Sequence, residues 1–270
     1  MNNTWGIGLL LGLILLRAPE LKAAMSADEI MKRNEDARKV NEVQSDATLT
    51  STDKAGQAKV KQFTWWKKLG SDQVHFNTLT RFHLPAEIRG EGILFLEHEN
   101  NENEVLMYLP NFKKIRRVES QQQSSSFMGS EFSYSDIATP HLDDYKYKLI
   151  REENCPEEQG AALKCAVIES TPVSDSVRER TGYSKQLGWV RQDNFMMAQG
   201  EYYDLEGNLL KKYQSTETKL VDPLKKKWLS HRLKIENVKN GRSTLLQFVE
   251  VKVNQGIQES VFTQRNLARE

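Results

Sequence analysis

Most of the chain alternates with a period of two. Val74, Phe76, Thr78 and Thr80 fall on one side of such a pattern, with His75, Asn77 and Arg81 on the other. Leu233 and Ile235 likewise oppose Arg232, Lys234 and Glu236. Runs of this kind recur from "DATLTST", "QAKVKQFTWWKKL" and "DQVHFNTLTRFHL" to "KKKWLSHRLKIENV" and "STLLQFVEVKV". Turn residues separate them: Asp53, Gly56, Gly70, Pro85, Asn100-Asn101, Pro110 and the Gly-centred "DLEGNLL". Short β-rich runs roughly 10–13 residues apart predict an antiparallel meander, not βαβ units.

Two stretches break the rhythm. "SADEIMKRNEDARKVNEV" (Ser26–Val43) predicts one helix, with Ser26 as its cap and Glu29 completing a capping box. Its apolar stripe is thin, so it is expected to lie on the sheet. "RRVESQQQSSSFMGSEFSYSDI" (Arg116–Ile137) passes from a basic strand through Ser and Gln to Phe127, Met128, Phe132 and Tyr134. It reads either as a tethered lid over the mouth of a curved sheet or as an Ω-loop plugging its own sheet. A short helical turn capped by Ser133 or Ser135 is expected at its end.

"GILFLEH" and "VLMYLP" are apolar on both faces. Such strands are covered on each side or line a cavity with one. Some dozen strands and one leading helix give a mainly β fold: a large curved antiparallel sheet, an unclosed barrel with a lid. Phe63 and Trp65 share one face and Trp66 takes the other; Leu94 and Leu96 oppose Ile93 and Phe95. Periodicity does not say which set points inward. We take Trp65, Leu94, Leu96 and Met107, with the four lid residues, as the cavity and lid set.

Composition changes the picture little: 270 residues, 38 basic against 37 acidic, no long basic block. A nucleic-acid partner is not expected. The N-terminus changes it more. "WGIGLLLGLILL" is shorter than the roughly 20 apolar residues of a membrane span, and "RAPELKAA" follows it. Residues 1–24 therefore read as a signal peptide and 25–270 as one domain. Removing Arg17, Lys22 and Glu20 takes the net charge from +1 to zero. Cys155 and Cys165, close together across a Pro156/Gly160 turn, are expected to form a structural disulfide in an exported protein.

The chain carries no G-x-S-x-G, H-E-x-x-H, P-loop or G-x-G-x-x-G pattern, and its five histidines are scattered. "EHE" (Glu97–Glu99) puts neighbours on opposite faces of a strand, a poor start for a metal site. No enzyme, metal or cofactor is expected. "KKIRR" (Lys113–Arg117) reads as a guarded edge strand, or as the source of an arginine that fixes the lid through Glu131 or Asp136; we take Arg117 with Asp136.

The run "LPAEIRGEGILFLEHE…EVLMYLPNFKKIRRVESQQQSSSFMGSEFSYSDI" (Leu84–Ile137) resembles the outer-membrane lipoprotein-sorting protein family. These are LolA-like periplasmic proteins, in the branch found beside RND/MMPL-type permeases. "DNFMMAQGEYYDLEGNLLKKY" and "VFTQRNLARE" agree, and "FMGSEFSY" is the most specific element. The resemblance implies a LolA/LolB-like unclosed barrel whose helices cover an apolar cavity for acyl chains. It implies a monomeric periplasmic carrier of a lipid or lipoprotein, working between an inner-membrane RND/MMPL-type permease and the outer membrane. The same fold also serves as a lipid-sensing regulatory module, which stays open as the alternative.

Overall fold

The computed structural model describes residues 25–98, 103–156 and 163–269. The expected signal peptide, Gly160 and the Asn100-Asn101 turn lie outside the described residues. Among the described residues, thirteen strands form one antiparallel sheet. They are β1 (Glu42–Thr52), β2 (Ala58–Leu69), β3 (Phe76–Leu84), β4 (Gly92–Leu96), β5 (Glu104–Leu109), β6 (Lys114–Val118) and β7 (Tyr145–Asn154). β8 (Lys164–Pro172), β9 (Lys185–Arg191), β10 (Met197–Tyr203), β11 (Leu209–Asp222), β12 (Lys227–Asn237) and β13 (Ser243–Val253) complete it.

The spatial order is β6-β5-β4-β3-β2-β1-β13-β12-β11-β10-β9-β8-β7. The first and last strands thus pair in the middle, and the edges are β6 and β7, neighbours in sequence. Among the described residues these edges do not pair, so the barrel stays open. Residues 119–144, the connection between them, must cross from one edge to the other. The Ser/Gln segment and its aromatic tip are that crossing.

The sheet curls strongly. β2 and β7 stand eight places apart, roughly 38 Å in a flat sheet at about 4.8 Å per strand. Side chains of both nevertheless line one cavity. The inner face carries the main core, with Phe63, Phe82, Ile93, Phe95, Ile235 and Leu246 all buried. Leu79, Leu94, Leu106 and Tyr108 lie on the outer face beneath Ile257, Phe262 and Leu267.

That C-terminal cover explains why β4 and β5 are apolar on both sides. It ends in α4 (Gln264–Leu267), capped by the Thr263 hydroxyl. Arg81 on β3 donates to the carbonyls of Asn266 and Leu267, both at 2.9 Å, which satisfies the helix end. Gly92 lets this segment approach, since a Cβ there would meet Leu267 Cδ1 at 2.8 Å.

Helix α1 (Ala27–Arg38) starts at Ser26, whose hydroxyl accepts from the Glu29 amide. The Glu29 carboxylate pairs with Arg33 at 2.7 Å instead of returning to the cap. The helix stops at Arg38, not Val43: β-branched Val43 is claimed by the sheet, pairing with Val253 and Lys67. Ala27, Ile30 and Met31 bury against Ala166, Ile168 and Val190 on the inner face of β8 and β9. A further helix, α3 (Asp175–Thr181), bridges β8 and β9, with Ser174 as N-cap and Gly182 in the left-handed conformation at its end. Cys155 and Cys165 form a disulfide with Cα atoms 5.0 Å apart, at the neck of the β7–β8 hairpin.

Candidate functional site

The crossing segment folds in two parts. In the first, Met128 (φ 52°) and Gly129 (φ 72°) turn the chain back, and the Phe127 amide donates to the Phe132 carbonyl at 2.7 Å. Phe127 is 1% exposed. Its ring stands 6.3 Å from Phe82, 6.4 Å from Phe95 and edge-on 5.5 Å from Tyr134. Burial pushes the Tyr134 phenol up to about 12. This half is a plug that fills one end of the curled sheet.

The plug is bolted on by buried charge. Glu131 pairs with Arg242 (3.0 Å), accepts from the Asn237 amide (3.0 Å), and donates its own N–H to the Thr244 hydroxyl. The next helix, α2 (Tyr134–Ile137), is closed by a reciprocal capping box between Ser133 and Asp136. The Asp136 carboxylate also meets Lys211 Nζ at 3.0 Å and accepts from Tyr183 Oη at 2.9 Å, while Lys211 donates to that same phenol at 2.8 Å. Tyr183 is held well above its usual pKa, first by burial and then by the Asp136 charge.

The second part, Asp136 to Leu142, roofs a cavity of about 310 Å³ between lid, sheet and α1. Phe63 and Trp65 from β2, Leu233 and Ile235 from β12, and Leu246 and Phe248 from β13 form an apolar wall. The Trp65 and Phe248 rings lie 5.1 Å apart. The facing wall is amphipathic, with Tyr145, Tyr147, Tyr202 and Tyr213 beside Ser170 and Gln186. Burial pushes the Tyr145 and Tyr213 phenols up to about 12, and Tyr145 Oη accepts from the Gln186 side-chain amide at 3.3 Å. Met31, Asn34 and Arg38 of α1 close the remaining side, with Lys67 of β2 and Met196 and Met197 at the start of β10.

The structure therefore divides the residues picked from sequence. Phe127, Phe132 and Trp65 line the cavity. Met128, Tyr134 and Met107 sit on the same face, packed in the core around the plug. Leu94 and Leu96 do not reach it: they point to the outer face, under the C-terminal segment. With both faces of β4 apolar, alternation left two equal choices, and Ile93 and Phe95 take the inner one. The expected Arg117–Asp136 pair does not form. Arg117 stays on the exposed edge and pairs with Glu104 at 3.1 Å, while Asp136 turns inward to Lys211. Within "EHE", Glu97 is buried and accepts from the Phe76 amide, and His98 faces Glu104; Glu99 lies outside the described residues.

The sequence pattern does not single out Arg38, Lys67, Tyr145, Tyr147, Tyr202 or Tyr213, all of which line the cavity. Tyr145 and Tyr147, two apart and so on one face of a strand, were the available signal for a tyrosine-faced wall. Among the described residues no helix is long and apolar enough to cross a membrane.

A domain named for outer membrane lipoprotein sorting, from Vibrio parahaemolyticus, superposes with a TM-score of 0.80 at 23% identity, covering 90% of this chain and 98% of that one. A DUF1329 family protein from Desulfovibrio piger gives 0.81 at 24% identity, with 89% and 97% covered. A LolA superfamily protein from Nitrosomonas europaea gives 0.69 at 22% identity, with 90% and 100% covered. These likenesses establish a LolA-like fold. No curated protein sequence matches. One family model, described as "-like: Uncharacterized protein", matches residues 75–269, and the chain belongs to that family.

Proposed function

We propose that this protein is a periplasmic carrier that shelters an acyl chain of a lipid or lipoprotein between its sheet and its lid. The observation that carries the reading is the roofed cavity of about 310 Å³ with one continuous apolar wall. That volume is at the small end of the roughly 300–1,000 Å³ of ligand pockets. Each methylene moved from water to such a wall is worth about 0.8 kcal/mol, so ten supply about 8 kcal/mol before the cost of association.

Trp65, Phe248 and Leu233 then receive the chain, and Met31, Met196 and Met197 adapt to its shape. The disulfide suits an oxidising compartment reached through the signal peptide at residues 1–24, with residues 25–270 acting as one domain. The onward route is to an inner-membrane RND/MMPL-type permease on one side and the outer membrane on the other. The protein acts in this as a monomeric binder, not an enzyme.

Native mass spectrometry with lipid extraction, on protein expressed in the periplasm, tests the reading. One acyl lipid per chain is expected. Protein that stays apo after incubation with membrane lipids and lipoprotein contradicts it.

A further inference from the structure

Two cations stand in the wall of this cavity without a partner acid among the described residues. Arg38 at the end of α1 makes a 3.4 Å hydrogen bond to the Pro140 carbonyl, and its Nε is buried with no hydrogen-bond partner among the described residues. Lys67 on β2 donates to the Thr139 hydroxyl at 2.9 Å and stacks 4.2 Å from the centre of the Phe76 ring. Among the described residues neither forms an ion pair. The carboxylate that also lines the cavity, Asp136, is already taken by Lys211.

Holding a half-buried guanidinium and a half-buried ammonium side by side without a bonded anion is costly. Desolvation lowers the pKa of both groups, Lys67 to about 8. Glu97 acts on both through space and Glu35 on Arg38, but Glu97 is occupied by the Phe76 amide. Both cations also touch the lid, at the adjacent residues Thr139 and Pro140. An anion placed between them would satisfy the open donors at the point where α1, β2 and the lid converge.

Building on the acyl-chain reading, we propose that the ligand is an amphiphile with an anionic head, a carboxylate or a phosphate. Arg38 and Lys67 hold that head while its chain runs along Trp65, Leu233 and Phe248. A neutral glyceride or a long-chain alcohol would fill the same apolar wall but leave both cations unpaired.

Binding of dodecanoate, dodecyl phosphate and 1-dodecanol to the mature protein, followed by tryptophan fluorescence, separates the possibilities without any variant. Both anionic amphiphiles are expected to bind at least about tenfold more tightly than the alcohol, the scale of one charge-assisted hydrogen bond. Arg38→Gln with Lys67→Met is expected to erase that difference, so that the two anionic amphiphiles bind no more tightly than the alcohol. Equal binding of all three overturns the anionic head and leaves the acyl carrier standing. Failure of all three to bind removes the carrier reading with it. Inorganic phosphate that competes at the same concentration as dodecyl phosphate overturns the amphiphile and makes this a site for a free anion.

Discussion

Lys67 carries its charge in a place that disfavours it. Its pKa falls from 10.5 to about 8, with burial as the main cause and Arg38 adding to it. Between about pH 8 and 10.5 the unfolded chain binds a proton at this residue that the folded chain does not. Stability therefore rises with pH across that window, and the full desolvation cost is present below it. Lys67→Met is expected to stabilise the protein at pH 7 and to flatten this rise, as read by urea denaturation from pH 7 to 10. A variant less stable than the parent at pH 7 would show that Lys67 is a structural residue. Asp136, by contrast, has a bonded cation in Lys211. Its loss in Asp136→Ala leaves Lys211, 8% exposed, without its carboxylate, at an expected cost of about 3–5 kcal/mol. An unchanged denaturation midpoint would refute that network.

At the scale of elements, the crossing segment is a plug and a roof joined at α2. Phe127→Ala is expected to lose about 3–5 kcal/mol, the range for truncating a buried aromatic. The amides of Phe127, Ser130 and Tyr134, hydrogen-bonded and close to the core, are expected to resist hydrogen exchange like those of the central strands. The amides of Thr139, His141 and Leu142, which make no hydrogen bond among the described residues, are expected to exchange much faster. Uniform fast exchange from 127 to 142 would mean that the whole segment swings, against the division drawn here. Opening for a ligand is thus expected in the roof, where Thr139 and Pro140 rest on Lys67 and Arg38.

The strands were legible because one face of most of them is polar, and the crossing segment because its aromatics follow a polar tether. Three things were not. The end of α1 was lost because Val43 serves a helical stripe and a strand equally well until β13 and β2 claim it. Which face of β4 turns inward was lost because the cover of its outer face, Ile257 to Leu267, has too few apolar residues to announce itself. The partner of Asp136 was lost because Lys211 lies 75 positions away and nothing local marks it as the residue that turns inward.

For the molecule as a whole, the meander grows outward from paired ends, β1 beside β13, and finishes on two edges that one segment must bridge. Leaving that seam unpaired creates a mouth, and bridging it supplies the roof. The disulfide closes a hairpin next to the β7 edge, and replacing Cys155 and Cys165 with Ser is expected to cost about 2–3 kcal/mol through the unfolded chain. The fold thus makes a cavity whose one wall is apolar, whose other wall is phenolic, and whose corner holds two cations.

The central claim is that an acyl chain lies in that cavity. A crystal of the mature protein with a terminally brominated dodecanoate tests it most directly. We expect anomalous bromine density between lid and sheet, beside Trp65, Leu233 and Phe248, with the carboxylate at Arg38 and Lys67. Bromine density confined to the outer face, with the cavity unchanged, would contradict the account.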